Sequence, residues 1–180
     1  GCIRFEIEIH GLNPEMSAEE FKEISNAFNG RENGYLNNGL ENRDNYYMKR
    51  VYLGCVRSID LLTSLPEWDG KNVIVQGGSQ GGALALITTG LDSRVTACVA
   101  NHPALSDMAG YKAGRAGGYP HFFRVEGMDT PDKLKTMAYY DVVNFARMIK
   151  VPTYITWGYN DDTCPPTTSY AVYNVLDCPK

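Results

Sequence analysis

The most informative segment of this chain is residues 73–85, which read Val73-Ile74-Val75-Gln76-Gly77-Gly78-Ser79-Gln80-Gly81-Gly82-Ala83-Leu84-Ala85. It begins with a run rich in β-branched residues, which predicts a buried strand over residues 72–76. It continues into small and apolar residues, which predict a helix over residues 80–91. Ser79 lies between the two, with a glycine two positions away on either side, so the turn has the pattern G-x-S-x-G.

A serine at the end of a strand and the start of a helix is placed as a nucleophile. Such a turn is strained, and glycine at positions 77 and 81 avoids a clash between the residues that flank the serine. The helix N-terminus favours developing negative charge, so we predict the backbone N–H of Gln80 as one oxyanion-hole donor. A purely structural turn or a phosphate-binding loop is the alternative. Because no Lys-Ser/Thr pair and no G-x-G-x-x-G spacing follows, the pattern favours the nucleophile.

Segments on both sides of this turn alternate between strand and helix patterns. Residues 3–9 alternate between apolar and charged side chains, which predicts a strand with one exposed face. The other predicted elements are strands over 95–100 and 153–157, helices over 17–28, 46–65, 140–149 and 167–176, a loop over 29–45, and an irregular glycine-rich excursion over 109–130. This order is typical of an α/β fold, a mostly parallel central sheet flanked by helices, in one domain spanning residues 1–180.

Composition excludes several kinds of partner. The 17 Lys and Arg residues nearly balance the 21 Asp and Glu residues, with a formal net charge of −4. Binding to nucleic acid or to an anionic membrane surface calls for a basic patch, so neither is expected. The longest apolar runs are too short for a membrane span. The chain opens on a strand-like segment without a signal-peptide pattern, and both cytoplasmic and exported locations fit it.

The five cysteines do not indicate a metal site. None forms a C-x-x-C pair, no histidines cluster near them, and their odd number argues against a disulfide framework. Cys55 and Cys98 lie in apolar stretches and are expected to be small buried hydrophobic residues. A catalytic thiol is the weaker alternative, and no metal or other cofactor is predicted.

The loop after the strand at 153–157 is the best place for a catalytic acid. In a strand–serine–helix arrangement of this kind the triad follows the order serine, acid, histidine. Asp161 and Asp162 both lie in this loop, and either could orient a histidine. One of the two is expected to catalyse and the other to cap the following helix.

No histidine follows these aspartates. His102 comes just after the strand at 95–100, so His102 and Pro103 are candidates to line the pocket, although a surface imidazole fits equally well. His10 follows the first predicted strand and is expected to be a loop residue. His121 belongs to the glycine-rich excursion and is expected to be structural.

Several motifs together resemble the acetyl xylan esterase and cephalosporin C deacetylase family. The resemblance covers the chain from about residue 46 to its end. The matching runs are Tyr46-Tyr47-Met48-Lys49-Arg50-Val51-Tyr52-Leu53, Leu65-Pro66-Glu67-Trp68-Asp69, Gly77-Gly78-Ser79-Gln80-Gly81-Gly82-Ala83-Leu84-Ala85, Tyr140-Asp141-Val142-Val143-Asn144 and Asp161-Asp162-Thr163-Cys164-Pro165-Pro166. The motifs G-G-S-Q-G-G at residues 77–82 and D-x-x-C-P-P at residues 161–166 are together far more specific than G-x-S-x-G alone.

This resemblance implies an α/β-hydrolase fold and a metal-independent serine esterase. Such enzymes deacetylate short xylo-oligosaccharides and cephalosporin C through an acyl-enzyme and usually form ring-like hexamers. By position, Ser79 is the nucleophile, Asp161 is the triad acid, and the Gln80 N–H is an oxyanion donor. Another α/β-hydrolase activity, on peptides or lactones, is the enzymatic alternative.

Two parts of the family pattern have no counterpart in these residues. One is a tyrosine that supplies the second oxyanion donor from a loop before the strand matching residues 3–9. The other is the triad histidine, which follows the final helix. We therefore expect an internal fragment, incomplete at both ends and nearly inactive by itself, and a non-catalytic fragment is the alternative from a different functional class. Residues 13–45 match the family poorly and receive no role.

Overall fold

The computed structural model describes residues 1–10, 12–13, 15–27 and 34–180. Helices and strands alternate along most of this length. In chain order they are α1 (Ala18–Ala27), α2 (Gly34–Asn37), α3 (Tyr47–Ser64), β1 (Ile74–Gly78), α4 (Gln80–Leu91), β2 (Ala97–Asn101), α5 (Pro131–Tyr140), α6 (Val142–Ala146), β3 (Thr153–Thr156) and α7 (Pro166–Val175). Six elements begin and end within two residues of their predicted bounds, namely the strands β1, β2 and β3 and the helices α3, α4 and α7.

Strands β1, β2 and β3 form a parallel sheet in that order. The register pairs Gly78 with Asn101, and Asn101 with Thr156. The carboxyl ends of the three strands therefore meet at one edge of the sheet, which is where sites form in open α/β sheets. Ser79 and the loop after Thr156 both follow directly from this edge.

Helix α4 lies at the centre of the hydrophobic core. It packs against β1, β2, α3 and α6, and its Leu86 and Ile87 side chains are fully buried. Gly82 allows the helix to approach β2 closely, because a Cβ at this position would lie 2.8 Å from the Asn101 carbonyl oxygen. The small residues that predicted this helix are thus the ones that let it pack tightly on the sheet.

Helix α3 covers the core with one apolar face. It ends at Ser64, before Pro66, which cannot continue a helix. The buried side chains of this helix are Tyr47, Met48, Val51, Tyr52, Cys55 and Ile59. Cys55 and Cys98 are 3% and 1% exposed, which confirms their prediction as buried residues. Within the described ranges, no helix has both the length and the apolar character needed to cross a membrane.

A capping box formed by Ser17 and Glu20 opens α1. The Glu20 N–H donates to Ser17 Oγ at 3.2 Å, and the Ser17 N–H donates to Glu20 Oε2 at 2.7 Å. The predicted end of this helix at residue 28, and residues 29–33 of the predicted loop, lie outside the described residues. In the rest of that loop the structure has the short helix α2 followed by turns, a helix that the Asn- and Gly-rich composition did not predict.

The predicted strand over residues 3–9 is wrong for the described structure. These residues have no strand structure, and Ile3, Phe5 and Ile7 are 39%, 47% and 41% exposed. A strand needs a neighbour to accept and donate its backbone hydrogen bonds, and none of the described strands pairs with this segment.

The prediction that the strand before Ser79 is buried is also wrong. Strand β1 lies at an edge of the described sheet, and Ile74 is 65% exposed.

The single helix predicted over residues 140–149 does not form, and two helices meet at its start instead. Helix α5 ends at Tyr140 and α6 begins at Val142, because Asp141 has an extended backbone and caps α6 by accepting a hydrogen bond from the Val143 N–H. Helix α5 was not predicted, although Thr130 followed by Pro131 is a good helix start.

Asp141 also holds the segment that follows β2. Its carboxylate accepts hydrogen bonds from the Asp107 and Met108 N–H groups at 3.0 and 2.8 Å. Burial raises the pKa of Asp141, and these backbone donors oppose that rise. The segment leads into the excursion at 109–130, which is irregular as predicted and contains the short 3-10 helices Met108–Ala113 and Phe122–Arg124.

Candidate active site

Ser79 occupies the sharp turn between β1 and α4. Its φ of 52° and ψ of −117° are unfavourable for a residue with a side chain, as expected for a nucleophile turn. A Cβ at Gly77 would lie 2.8 Å from the Gly81 Cα and closer still to the Gly81 carbonyl, so this position requires glycine. A Cβ at Gly81 would meet nothing within 4 Å. The steric requirement that we predicted for both glycines therefore falls on position 77.

The backbone of Ser79 is held by hydrogen bonds on both sides. Its N–H donates to the Asn101 carbonyl at 3.0 Å, and its carbonyl accepts from the Ala83 and Ala104 N–H groups, each at 3.0 Å. The Ser79 side chain makes no capping hydrogen bond with α4, although Ser79 is the N-cap residue. The strained turn is thus fixed by backbone contacts alone, and the hydroxyl is not used as a helix cap.

Gln80 begins α4, so its backbone N–H belongs to the first turn, where no intrahelical acceptor exists. Its side chain has a partner that the sequence did not predict. The Tyr35 hydroxyl donates to Gln80 Oε1 at 2.6 Å, whereas Gln80 Nε2 is buried with no hydrogen-bond partner among the described residues. Tyr35 belongs to α2, inside the segment predicted as a loop, and nothing in the local pattern indicated this contact.

Asp161 forms a tight turn after β3. One of its carboxylate oxygens, Oδ1, accepts hydrogen bonds from the Thr163 and Cys164 N–H groups at 2.9 and 2.8 Å. Asp162 is exposed. We expected the Asp161 carboxylate to face Ser79, and Asp162 to point to solvent or to backbone N–H groups. In the structure Asp161 is the residue that binds backbone N–H groups, and Asp162 is the one that faces solvent.

Cys164 links this turn to Ser79. It is 1% exposed, and the Ser79 side chain is near enough to affect its thiol. Burial raises the pKa of the Cys164 thiol, the negative charge of Asp161 raises it further, and Ser79 opposes both effects. The structure therefore brings Ser79, Cys164 and the Asp161 turn together at the carboxyl edge of the sheet. No role was predicted for Cys164 itself, and it was noted only as part of the Asp161 motif.

His102 lies beside the turn that carries Ser79. A Cβ at Gly78 would lie 3.5 Å from both Cε1 and Nε2 of its ring. The backbone N–H of His102 donates to the Thr156 carbonyl at 2.7 Å, and the φ of His102 is 36°. The His102 side chain is exposed, and Pro103 is buried next to it. Among the hydrogen bonds of the described residues, none joins the His102 ring to Ser79 or Asp161.

The other two histidines contact residues outside the turn at Ser79. His10 is a loop residue, as predicted. Its Nδ1 lies 3.0 Å from the Tyr47 hydroxyl, and its ring centroid lies 4.4 Å from that of Tyr35. Burial lowers the pKa of His10. His121 contacts the backbone of Gly117 and of Thr163, and burial also lowers its pKa. Its place in the excursion therefore connects that segment to the Asp161 turn.

A parallel sheet, a serine in a strained strand-to-helix turn and an aspartate in a loop after a later strand define a protein of the α/β-hydrolase fold. Comparison with known proteins agrees with this class and narrows it. Residues 1–180 match the Acetyl xylan esterase (AXE1) family, and the chain belongs to that family. This confirms the resemblance stated from the sequence.

Relatives of known sequence and structure support this assignment. The chain is 73% identical over 180 residues to acetyl esterase Axe7A of Xylanibacter ruminicola, covering all of this chain and 41% of that protein. It is similar to the solved acetyl xylan esterase from Paenibacillus sp. R4, with 36% identity and a TM-score of 0.73, covering 82% of this chain and 49% of that one. It is also similar to acetyl xylan esterase 1 from Thermoanaerobacterium sp. JW/SL YS485, with 29% identity and a TM-score of 0.73, covering 83% of this chain and 50% of that one. The chain thus spans half or less of the length of these relatives.

Proposed function

We propose that the protein containing this chain is a serine esterase that removes acetyl groups from acetylated xylo-oligosaccharides, with cephalosporin C as a further substrate. The observation that carries this proposal is the position of Ser79, in a strained turn at the carboxyl edge of the sheet of an AXE1-family chain. The relatives named acetyl esterase and acetyl xylan esterase support acetyl groups on xylan-derived sugars as the substrate class. Assembly as a hexamer, which the family resemblance implies, is part of the same proposal.

In the proposed reaction the Ser79 oxygen attacks the carbonyl carbon of the acetyl ester while a base takes its proton. The carbonyl oxygen gains the negative charge, and the Gln80 N–H at the start of α4 stabilises it. The C–O bond to the sugar then breaks, and the sugar oxygen takes the proton from the base. Water hydrolyses the acetyl-Ser79 ester in a second half-reaction and releases acetate.

Asp161 is the proposed acid that orients the base. Its Oδ1 is occupied by the Thr163 and Cys164 N–H groups, which fixes the carboxylate and leaves its other oxygen for an imidazole. His102 lies beside Gly78 but makes no hydrogen bond to Asp161 in the described structure. We therefore assign the base and the second oxyanion donor to parts of the whole protein outside these 180 residues.

The acyl pocket is proposed to be small and to favour acetate. His102 and Pro103 are its candidate walls next to the turn at Ser79. Residues 119–123 of the excursion are proposed as the other side, and in this segment Phe122 and Phe123 are buried, at 5% and 4% exposed. A short acyl chain would fill such a space, and a long one would need these aromatic side chains to move.

A comparison of substrates in the whole protein tests this proposal. We expect acetate release from acetylated xylo-oligosaccharides and from an aryl acetate, slow turnover of the matching aryl octanoate, and no cleavage of a peptide amide. Equal rates on acetate and octanoate would contradict the small pocket, and cleavage of the amide would favour the peptidase alternative.

The isolated chain provides a second comparison. We propose that residues 1–180 alone are close to inactive, since a base assists attack by about a hundredfold to ten-thousandfold and one oxyanion donor contributes about 3 kcal/mol. Robust Ser79-dependent acetate release by the purified 180-residue chain would contradict this.

A further inference from the structure

A short stretch of chain at the end of β2 holds the backbone of Ser79 from both sides. The Asn101 carbonyl accepts the Ser79 N–H, and the Ala104 N–H donates to the Ser79 carbonyl, each at 3.0 Å. Both backbone polar groups of the proposed nucleophile are therefore bound within four residues of chain. We call residues 101–108 the clasp, because this stretch binds Ser79 at its beginning and is itself bound at its end.

The clasp has a strained backbone. Its residues His102, Leu105 and Asp107 have φ values of 36°, 55° and 48°, in the left-handed region that residues with a side chain rarely adopt. Among the other described residues with a side chain, only Ser79 and His121 have such a positive φ. A conformation of this kind persists only where the surroundings impose it. The clasp therefore depends on contacts with residues outside it.

The junction between α5 and α6 fixes the far end of the clasp. The Asp141 carboxylate accepts the Asp107 N–H on Oδ1 at 3.0 Å and the Met108 N–H on Oδ2 at 2.8 Å. The next residue, Val142, donates its N–H to the Leu105 carbonyl at 3.1 Å. Three hydrogen bonds to two consecutive residues thus hold this end of the clasp.

We propose that Asp141 is a positioning residue of the esterase, which acts through the clasp on Ser79 and on the acyl pocket. This inference rests on the proposed function of Ser79 as nucleophile. His102 and Pro103, the candidate walls of the pocket, lie in the clasp between the two residues that bind Ser79. A shift of the clasp would therefore move the nucleophile and the pocket wall together, and small misplacements of reacting groups lower rates by large factors.

A capping role is the competing explanation, because Asp141 is also the N-cap residue of α6. Its Oδ1 accepts the Val143 N–H at 3.0 Å, and such a bond stabilises the helix without acting on Ser79. Two substitutions separate the explanations. Asp141→Asn can keep an oxygen at the Oδ1 position for the Val143 N–H, but it places an NH2 group against the Met108 N–H. Asp141→Ser keeps a capping oxygen and is too short to bind the clasp as well.

Asp69 provides a matched control at the opposite edge of the sheet, in the turn before β1. Its carboxylate is bound in the same pattern as that of Asp141. Oδ1 accepts two backbone N–H groups, those of Lys71 and Asn72 at 2.9 and 2.8 Å, and Oδ2 accepts one further donor, Asn72 Nδ2, at 2.6 Å. Asp69→Asn therefore makes the same chemical change far from the clasp.

In the whole protein we would measure kcat/KM on an aryl acetate and on the matching aryl octanoate, at a temperature well below every Tm. We expect Asp141→Asn to lower kcat/KM for the acetate about tenfold and to raise the octanoate-to-acetate ratio by about fivefold or more, because the pocket wall loosens. Asp141→Ser should change both quantities further, since it loses both hydrogen bonds to the clasp. Asp69→Asn should leave both within about twofold of the wild type, whatever its effect on Tm.

The octanoate-to-acetate ratio distinguishes a positioning role from a loss of stability. Partial unfolding lowers the rates on both substrates by the same factor and leaves their ratio unchanged. A wild-type ratio in both Asp141 variants, with Ser79 still essential, would overturn the role of Asp141 alone. Full activity of Ser79→Ala would instead contradict the proposed function.

Hydrogen exchange of the wild-type protein covers the case in which the Asp141 variants do not fold. We expect the backbone amides of Ala104, Asp107 and Met108 to be protected and to exchange at similar rates, because they open only when the clasp opens. Rapid exchange of the Asp107 and Met108 amides beside a protected Ala104 amide would show that the Asp141 carboxylate does not hold the clasp. That result would overturn the proposal.

Discussion

Gly77 and Gly81 face each other across the turn that carries Ser79, so closely that a Cβ at position 77 would lie 2.8 Å from the Gly81 Cα. The missing side chain at Gly77 permits this close approach, so the chain can turn sharply from β1 into α4. Ser79 adopts a φ of 52° within this turn. The contact also gives an asymmetric expectation for the two glycines.

Gly77→Ala should therefore disrupt the turn, and Gly81→Ala should not. We expect the first to cost about 1–3 kcal/mol or more in stability and to lower kcat/KM for an aryl acetate at least a hundredfold. The second should leave kcat/KM within about threefold, because a Cβ at Gly81 meets nothing within 4 Å. Thermal unfolding and steady-state kinetics on the whole protein would measure both. Equal effects of the two substitutions would contradict this account of the turn.

The two aspartates after β3 should differ strongly in their contribution to catalysis. Asp161→Asn retains an oxygen that can accept from the Thr163 and Cys164 N–H groups, so the turn should survive. The loss of charge should still lower kcat by about ten-thousandfold, as in other serine triads. Asp162→Asn, at an exposed position, is the control and should change kcat by less than about twofold. A larger loss of kcat in Asp162→Asn than in Asp161→Asn would show that Asp162 is the triad acid.

The hydrogen bond from Tyr35 to Gln80 should support the oxyanion donor. Tyr35→Phe removes the hydroxyl that lies 2.6 Å from Gln80 Oε1, and an unsatisfied buried acceptor costs about 1–3 kcal/mol. We expect a lower Tm and a fall in kcat of about tenfold. Tyr140→Phe removes a hydroxyl bond of the same length, 2.6 Å, to the Arg43 carbonyl, and it should leave kcat unchanged. Wild-type kcat in Tyr35→Phe would show that the Gln80 side chain has no part in catalysis.

Local patterns predicted the elements that hold Ser79. The run of small and apolar residues at 80–91 predicted α4 with its observed bounds, and the same residues let the helix pack tightly on the sheet. Alternation at residues 3–9 was less informative. It shows that a segment can form a strand, but a strand also needs a neighbour, and no described strand pairs with this one.

Contacts between distant parts of the chain were beyond prediction from local patterns. Tyr35 meets Gln80 across 45 residues, from a segment whose Asn and Gly content predicted only a loop. Cys164 lies near Ser79 across a gap almost twice as long, because parallel strands bring their carboxyl ends to one edge. The sequence identified Ser79 and Asp161 as candidates by motif, but the contacts of Gln80 and of Asp161 depend on how distant segments pack.

Acid should weaken the fold through the Arg94 ion pairs. The Arg94 guanidinium bonds Asp92 and Asp60 and holds the pKa of Asp92 below its ordinary value of 3.8. The folded state thus binds this proton less tightly than the unfolded state does. The contribution of Asp92 to stability is present above about pH 4 and is lost as the pH falls through the lower folded pKa.

Asp92→Asn should accordingly lower Tm at pH 7, and its difference from the wild type should shrink as the pH falls below 4. Asp162→Asn, at an exposed position, should show no Tm difference at either pH. A difference between Asp92→Asn and the wild type that stayed constant from pH 7 to strongly acidic pH would show that Asp92 acts through packing rather than charge.

The most direct test of the account is the detection of an acetyl group on Ser79. The whole protein would be mixed with an aryl acetate, quenched in acid within the first turnover and digested, and the peptide containing Ser79 would be examined by mass spectrometry. We expect a mass increase of one acetyl group on Ser79, no increase in Ser79→Ala, and a fall in turnover of several orders of magnitude in that variant. An acetyl group on a different residue, or near-normal turnover by Ser79→Ala, would contradict the assignment of Ser79 as the nucleophile.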